Sequence, residues 1–473
     1  MSEISWPERS TSYGYAVCGL GPAGCGFLLH AIKEDEIGRL VDKGLVLIDR
    51  SAHPGAGKVG DYKLTGNSLS RAFLDCIDDP KLAWLLGDLA VAASPVIKLR
   101  DIELLAPPLD VVGDFLTAIA ERTIAYLSEA YRVPVLLDTE VEAIDRKLDQ
   151  SFALTLHGKQ DGHRQRLAVD NVLCSLGGRQ MLGTIRQCEL QPGLKLGAHA
   201  ERIIASDDFL MMPDDVIQKA IPLSTDGTRD VVIVGGSHSA MSTIDRLTDA
   251  LGPLGLERVI MLHREPLRLY YASPDEARSD GYSFDDPGDI CPMSGRVNRF
   301  GGLRYRSFDV GKSILETGRT PDQSVEVVSV RLDDPASANA AAVQSYLAKA
   351  SAVIACLGYQ ANLPPVVDHA NREIELRNQP RGLEIDDEGR ALAADGRPVP
   401  GLYVFGIGSR LLRRSDAIGG EPSFRGSADG VWLYHNHGGG VILNALTKGH
   451  STKPEEHARK TPRPNFVDVA VSA

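Results

Sequence analysis

The sequence predicts an α/β protein made of two Rossmann-like dinucleotide-binding domains, the second inserted into the first. Three stretches carry that expectation. Tyr15 to Leu29 reads as a short buried strand, a G-x-G-x-x-G turn at Gly19, Gly21 and Gly24, and the opening of an apolar helix. Asp230 to Met241 repeats strand, turn and helix, with Gly235 and Gly236 in the turn and Ala240 in place of the third glycine. Gly401 to Gly408 is a last apolar strand that stops in Gly406 and Gly408. A chain that opens one nucleotide fold, builds another and returns to a glycine-ended strand must cross twice between domains. The expected boundaries are 1–205 and 351–452 for the outer domain, 206–350 for the inserted one, and 453–473 for an extended or disordered tail.

Composition bounds the rest. The chain has 473 residues, is 43% hydrophobic and 24% charged, and carries a net charge of -12. That acidity disfavours nucleic acid or an anionic membrane as the main partner. No apolar run reaches the roughly 18 residues that suggest a bilayer span, and Met1 to Ser12 lacks a signal-peptide core, so a cytoplasmic protein is expected. Seven cysteines occur without any C-x-x-C spacing. They read as reduced thiols and argue against a disulfide reductase, which needs a close dithiol. The reading leaves room for a homo-oligomer.

In chain order, Gly19 makes the tight turn, Gly21 lets a pyrophosphate approach the backbone, and Gly24 lets helix and sheet close together. The strand Gly44 to Ile48 ends in Asp49, placed to accept from an adenosine ribose. His53 to Lys63 is glycine-rich and irregular, Leu69 to Leu74 helical, and Asp110 to Tyr131 helical by its apolar spacing. Strands follow at Val133 to Leu137, Val141 to Ile144 and Phe152 to Leu156, then Val172 to Leu176 before Gly177. In the second unit the free N–H groups behind Gly235, Gly236, Ser237, His238 and Ser239 suit phosphates. His238 can cap or contact ribose as readily as move a proton. The strand Arg258 to Leu262 runs into His263 and Arg264. A cation there, where NAD-binding turns carry an acid, suits a 2′-phosphate and favours NADPH over NADH; a structural role for Arg264 is the alternative. Ala352 to Leu357 ends at Gly358, and a helix over Ser427 to Leu446 is expected to break at Gly438 to Gly440. His435 and His437 have no acidic partner at metal spacing, so no metal site is expected.

Two such folds in one chain resemble the two-dinucleotide-binding-domain flavoproteins, in which the first fold holds FAD and the second NAD(P)H. Leu-Gly-Gly at Gly177 and Leu-Gly-Tyr at Gly358 are similar to their linker signatures without the usual Thr. Gly406-Ile407-Gly408 is similar to their second flavin motif without its acid. Within that superfamily the chain resembles the flavin-dependent N-hydroxylating monooxygenases of ornithine and lysine. His53-Pro54-Gly55 with Phe73-Leu74-Asp75 and Asp79-Pro80 is similar to their H-P-G … F-L-K-D … R-x-P segment. Gly235 to Ala240 is similar to G-G-G-Q-S-A, with His238 in the Gln place, and Asn436-His437-Gly438 to the terminal T-H-G. No F-x-G-x-x-x-H-x-x-x-W/P run is present, which disfavours Baeyer–Villiger and dimethylaniline-type enzymes.

The resemblance implies an FAD- and NADPH-dependent monooxygenase that N-hydroxylates a small amine with molecular oxygen through a C4a-hydroperoxyflavin. It sets Asn67 or Ser68 near the flavin as catalytic candidates, though either also suits a helix N-cap. His437 joins the cofactor-binding set with the glycines, Asp49 and Arg264. Asp75 falls where the family's Lys holds a substrate α-carboxylate. Like charges 4 Å apart cost about 4 kcal/mol at an effective dielectric near 20, so a carboxylate-free or polybasic amine is expected, unless the segment is shifted and Asp75 lies on the surface. The alternatives are a flavin oxidoreductase or oxidase without oxygen insertion, and a non-catalytic flavoprotein.

Overall fold

The computed structural model describes residues 12–222, 230–334, 339–379, 382–410, 419–426 and 430–448. The expected tail and part of the last expected helix lie outside them.

The outer domain is organised on a nine-stranded sheet. Its first strands are β1 (Ser12–Cys18), β2 (Leu45–Ile48), β3 (Val135–Leu136), β4 (Thr139–Arg146), β5 (Phe152–Gly158) and β6 (Arg164–Cys174). β1 pairs in parallel with β2 on one side and β6 on the other. β6 is long enough to serve two roles. Its first half runs antiparallel to β5, and its second half is parallel to β1 and to the strand Pro398–Val404. Helix α1 (Pro22–Lys33) covers this sheet because Phe27, Leu28 and Leu29 leave it no wet face. Helix α2 (Ser70–Asp78) and the long α3 (Leu109–Tyr131) complete the layer, with Val112, Phe115, Leu116 and Ile119 buried at the expected spacing.

At β7 (Gly178–Arg179) the chain leaves the outer domain. After a hairpin of β8 (Glu189–Gln191) and β9 (Leu194–Lys195), β10 (Ile203–Ala205), β11 (Asp230–Val234), β12 (Arg258–His263), β13 (Glu326–Arg331) and β14 (Ala352–Ala355) form one parallel sheet in the order β10-β14-β11-β12-β13. Boundaries at 205/206 and 350/351 therefore cut off two strands of the inserted domain. β10 and β14 each pair within it, because Ile203 to Ala205 align with Val353 to Ala355. The crossings lie at the two Leu-Gly stops, where β15 (Gln360–Ala361) runs antiparallel to β7. The two linkers thus brace each other, and the chain then returns to the outer sheet with β16 (Val366–Val367) beside β4.

Helix α4 (His238–Leu251) follows the second glycine turn, and α5 (Arg306–Thr317) packs beside it. The last helices are α6 (Val431–His435) and α7 (His437–Lys448). The break falls at Asn436, and Gly438 to Gly440 lie inside α7 instead of interrupting it. Their lack of side chains lets α7 press on α1: a Cβ on Gly439 would stand 3.0 Å from the Cβ of His30.

Candidate active site

The first glycine turn is tight at two positions and open at the third. Gly19 has φ +94°, and a Cβ there would meet the Ser175 carbonyl oxygen at 2.3 Å. A Cβ on Gly24 would meet the Gly19 oxygen at 2.0 Å, while one on Gly21 meets nothing within 4 Å. The close contacts build the turn, and the open face beside Gly21 at the start of α1 fits a pyrophosphate. Asp49 holds the turn from below, accepting from the Leu20 N–H at 2.5 Å and the Ser51 N–H at 2.7 Å. Gly406 closes the front: its φ is +108°, and a Cβ would stand 2.9 Å from that of Ala23. Gly408, φ +90°, lies against the backbone of β15. Gly177 and Gly358 take φ of +74° and +77° with open space around them, which lets the linkers turn.

The second turn repeats the plan. Gly235 has φ +135° and would drive a Cβ into the Cys356 carbonyl oxygen at 2.4 Å. Gly236 packs on His263, and exposed Ser237 caps α4 without a side-chain bond to it. His238 Nε2 is shielded from solvent and has no partner among the described residues. Burial, with Arg304 nearby, lowers the His238 pKa to about 4, so the ring is a neutral hydrogen-bonding group at neutral pH. Ser239 lies in the first turn of α4, its carbonyl accepting from Thr243 Oγ1 at 2.7 Å. His263 turns inward to Ser329 Oγ at 2.8 Å, and Arg264 turns outward, donating to the Glu189 carbonyl of β8 at 2.5 Å.

Between the domains lies a cavity of about 470 Å³. Tyr62, Leu64 and Asn67 line it from the outer domain; Met241, Ser242 and Arg306 line it from the inserted one. Asn67 is exposed on this wall, and Ser68 is half-buried and outside the lining. Neither caps α2, which starts at Ser70 after Leu69 as N-cap, so that alternative falls.

Two resemblance-based placements come out elsewhere. The buried faces of Phe73, Leu74 and Ile77 turn Asp75 outward, and it accepts from Asn436 Nδ2 at 3.0 Å. Asn436 in turn holds Lys33, the last residue of α1, at 3.0 Å. With 12 residues in α1, that end is about 17 Å from the glycine turn. Asp75 is thus a surface residue remote from the first cradle, and the exclusion of α-carboxylate substrates loses its carrier. His437 is on the same outer wall, exposed and edge-on to Trp432 with ring centroids 5.4 Å apart.

One arrangement had no sequence signal. Asp207, buried beside the crossings, accepts from Lys58 Nζ at 2.5 Å, from the Tyr62 hydroxyl, and from the Tyr359 hydroxyl at 3.2 Å. Gln180 Oε1 accepts from the Asp207 N–H at 3.0 Å, and Gln180 Nε2 donates to the Gly358 carbonyl at 3.1 Å. Burial, then the neighbouring Tyr359 and the bond to Asp207, push the Tyr62 hydroxyl far above its ordinary pKa. The hydroxyl stays protonated, with its proton donated to Asp207. This network ties the His53–Lys63 segment, both linkers and the inserted domain together.

A parallel five-stranded sheet inserted by braced linkers into a second dinucleotide fold defines a two-dinucleotide-domain architecture. No protein-family model matches the chain. It is 34% identical over 457 residues to a CMP-5′-(3-aminopropyl)phosphonate hydroxylase of Streptomyces rubellomurinus, a match covering 94% of this chain and 99% of that protein. Among solved structures, the ornithine N-hydroxylase of Kutzneria sp. 744 superposes with a TM-score of 0.53 at 12% identity, covering 93% of this chain and all of that one. The cadaverine monooxygenase of the Erwinia amylovora desferrioxamine pathway gives 0.52 at 14% identity, covering 96% and 99%. The chain belongs to the family of flavin-dependent N-hydroxylating monooxygenases. FAD and NADPH are that family's cofactors, and the two glycine cradles fit them.

Proposed function

We propose that the protein N-hydroxylates the primary amine of a nucleotide-linked aminoalkylphosphonate, or a close phosphorus-bearing analogue, at the expense of NADPH and molecular oxygen. The observation that carries this reading is the end-to-end match to the Streptomyces rubellomurinus hydroxylase, whose substrate is a cytidylyl aminopropylphosphonate. The interdomain cavity supports it: about 470 Å³ lies in the range that holds a nucleotide-sized ligand. The glycine-turn residues take no part in its lining, so it adds to the two cofactor cradles instead of duplicating one.

When bound, FAD supplies the oxygen chemistry. The chain's own residues position and enclose. Gly21 and the first turn of α1 hold the flavin pyrophosphate, with Asp49 keeping the turn closed and toward the ribose. Ser237 and the start of α4 hold the nicotinamide nucleotide, and Arg264 pairs its 2′-phosphate. Asn67 faces the cavity, with Ser68 next to it in the chain, and Tyr62, its proton donated to Asp207, holds the wall in place. The network around Asp207 ties the two domains so that the walls stay in register.

The reading is tested by NADPH oxidation and hydroxylamine formation with CMP-5′-(3-aminopropyl)phosphonate, ornithine, lysine and cadaverine. The phosphonate conjugate is expected to give the highest kcat/KM by about tenfold or more. Equal or better turnover of the free amino acids would overturn it.

A further inference from the structure

We infer that residues 419–426 form a strap by which the outer domain grips the inserted one, and that Glu421 is its positioning residue. Glu421 fixes the turn of the inserted domain from which the chain runs on into the cavity wall. The strap serves any amine, so its role stands apart from the substrate class proposed above.

The strap leaves the outer domain and returns to it. Before it, the strand Ser409–Arg410 pairs with Gly382–Glu384; after it, α6 packs on α1. Between them Glu421, Ser423 and Phe424 reach across to the inserted domain. Glu421 is fully buried and accepts from the Phe300 N–H at 3.0 Å and the Gly301 N–H at 2.7 Å. The Ser423 N–H donates to the Gly288 carbonyl at 2.9 Å, and Ser423 Oγ accepts from Arg268 Nη1 at 2.7 Å. The Phe424 ring stacks on that of Phe300 with centroids 6.1 Å apart. Gly301 leaves room for this seat: a Cβ there would stand 3.1 Å from the Phe424 ring and 3.3 Å from Glu421 Oε1. A buried carboxylate is costly unless donors meet it. Two donors of Glu421 belong to the other domain, so the contact fixes register as well as proximity.

The gripped turn is rigid and leads to the cavity. It is closed by the Gly302 N–H on the Asn298 carbonyl at 2.9 Å, and buried Asn298 Nδ2 donates to the Leu269 carbonyl at 2.9 Å. The Leu303 N–H then donates to the carbonyl of Arg268, the residue that Ser423 holds by its side chain. Leu269, Val297 and Leu303 sit in the core of the inserted domain, while Phe300 packs against the core of the outer one. A few residues on, Arg306 and Ser307 line the cavity, and Arg306 forks onto Asp245 of α4 at 2.9 and 2.5 Å.

The linkers pair side by side and form one attachment between the domains, fastened by Asp207. One attachment leaves a rotation free; a second, on a separate loop, removes it. Hydride passes between nucleotides held in different domains, and the reacting atoms must approach to about 3–3.5 Å, so a misplacement of about 1 Å costs roughly a hundredfold. The strap is therefore expected to act on the rate of that transfer and not on the affinity of either nucleotide.

The experiment compares full-length, FAD-loaded wild type, Glu421→Ala and Glu421→Gln by amide hydrogen exchange, NADP⁺ titration and anaerobic rapid mixing with NADPH. In Glu421→Ala the Phe300 and Gly301 amides are expected to exchange at least about tenfold faster, and flavin reduction to slow by about tenfold or more. Flavin content and NADP⁺ affinity should stay within about twofold of wild type. Glu421→Gln, which keeps an acceptor oxygen, should recover most of the rate. Flavin reduction in Glu421→Ala within about twofold of wild type would overturn the inference. A loss of NADP⁺ affinity or flavin as large as the loss of rate would overturn it too, since the role would then be structural. Should Glu421→Ala not fold, Gly301→Val decides, because it lifts the strap from the opposite side: slowed reduction with retained NADP⁺ affinity supports the strap, and an unchanged rate refutes it.

Discussion

The two glycine turns share a plan and differ in how they are locked. Under the first, a carboxylate at the end of the neighbouring strand, Asp49, reaches up to the Leu20 N–H at 2.5 Å, and Gly406 closes the front. Under the second, the equivalent strand ends in His263, which turns away to Ser329, and Arg264, which turns out to β8. One turn is pinned from below and capped from in front; the other is left open with an exposed cation. The difference suits a prosthetic group that stays and a nucleotide that comes and goes, since pre-organisation lowers the cost of binding.

The largest effects should come from the first turn, and they separate shape from binding. Gly24→Val must push a side chain into the Gly19 carbonyl, so it is expected to yield no folded protein. Gly21→Val points into open space. It should fold, with an unfolding midpoint close to that of wild-type apoprotein, yet purify without flavin; stoichiometric FAD in that variant would break the comparison.

The second turn should respond through charge. Arg264→Ala is expected to weaken NADPH by about 10- to 150-fold, the worth of one charge-assisted bond of roughly 1.5–3 kcal/mol, with NADH nearly unchanged. Equal losses would mean that its bond to Glu189 is the residue's main role.

A smaller effect tests the wall behind the first turn. His435 is buried against Gly26 of α1, and burial lowers its pKa to about 4. The folded state keeps the ring neutral while the unfolded chain takes a proton near pH 6.5. Stability from this group is therefore complete above about pH 6.5 and falls as pH drops toward 4, by about 3 kcal/mol in all. Denaturant unfolding of His435→Gln should show less of that acid loss than wild type. The smallest effect is expected at Asp75: Asp75→Asn should leave kcat/KM within about twofold, since Asn436 holds it on the surface.

Why the cradles were legible and the pocket was not follows from how each is built. A glycine turn is made by backbone within a few residues, so Gly19 to Gly24 and Gly235 to Ala240 announce it. The crossings were legible for the same reason, because Gly177 and Gly358 mark sharp turns, although the domain edges drawn at 205/206 and 350/351 missed β10 and β14. The network on Asp207 collects Lys58, Tyr62, Gln180 and Tyr359 from distant segments. No local pattern encodes such meetings. Asp75 failed for a different reason. The sequence placed a helix over Leu69 to Leu74, whereas it runs on from Ser70 to Asp78, and its phase, set by Phe73, Leu74 and Ile77 facing the core, points that carboxylate at Asn436.

The central claim is that oxygen goes onto the nitrogen of a phosphorus-bearing amine. The most direct measurement is mass analysis of the product formed from CMP-5′-(3-aminopropyl)phosphonate, NADPH and isotopically heavy dioxygen. One heavy oxygen atom on nitrogen per NADPH consumed is the expected result. NADPH consumption that yields hydrogen peroxide and unmodified amine would contradict the account.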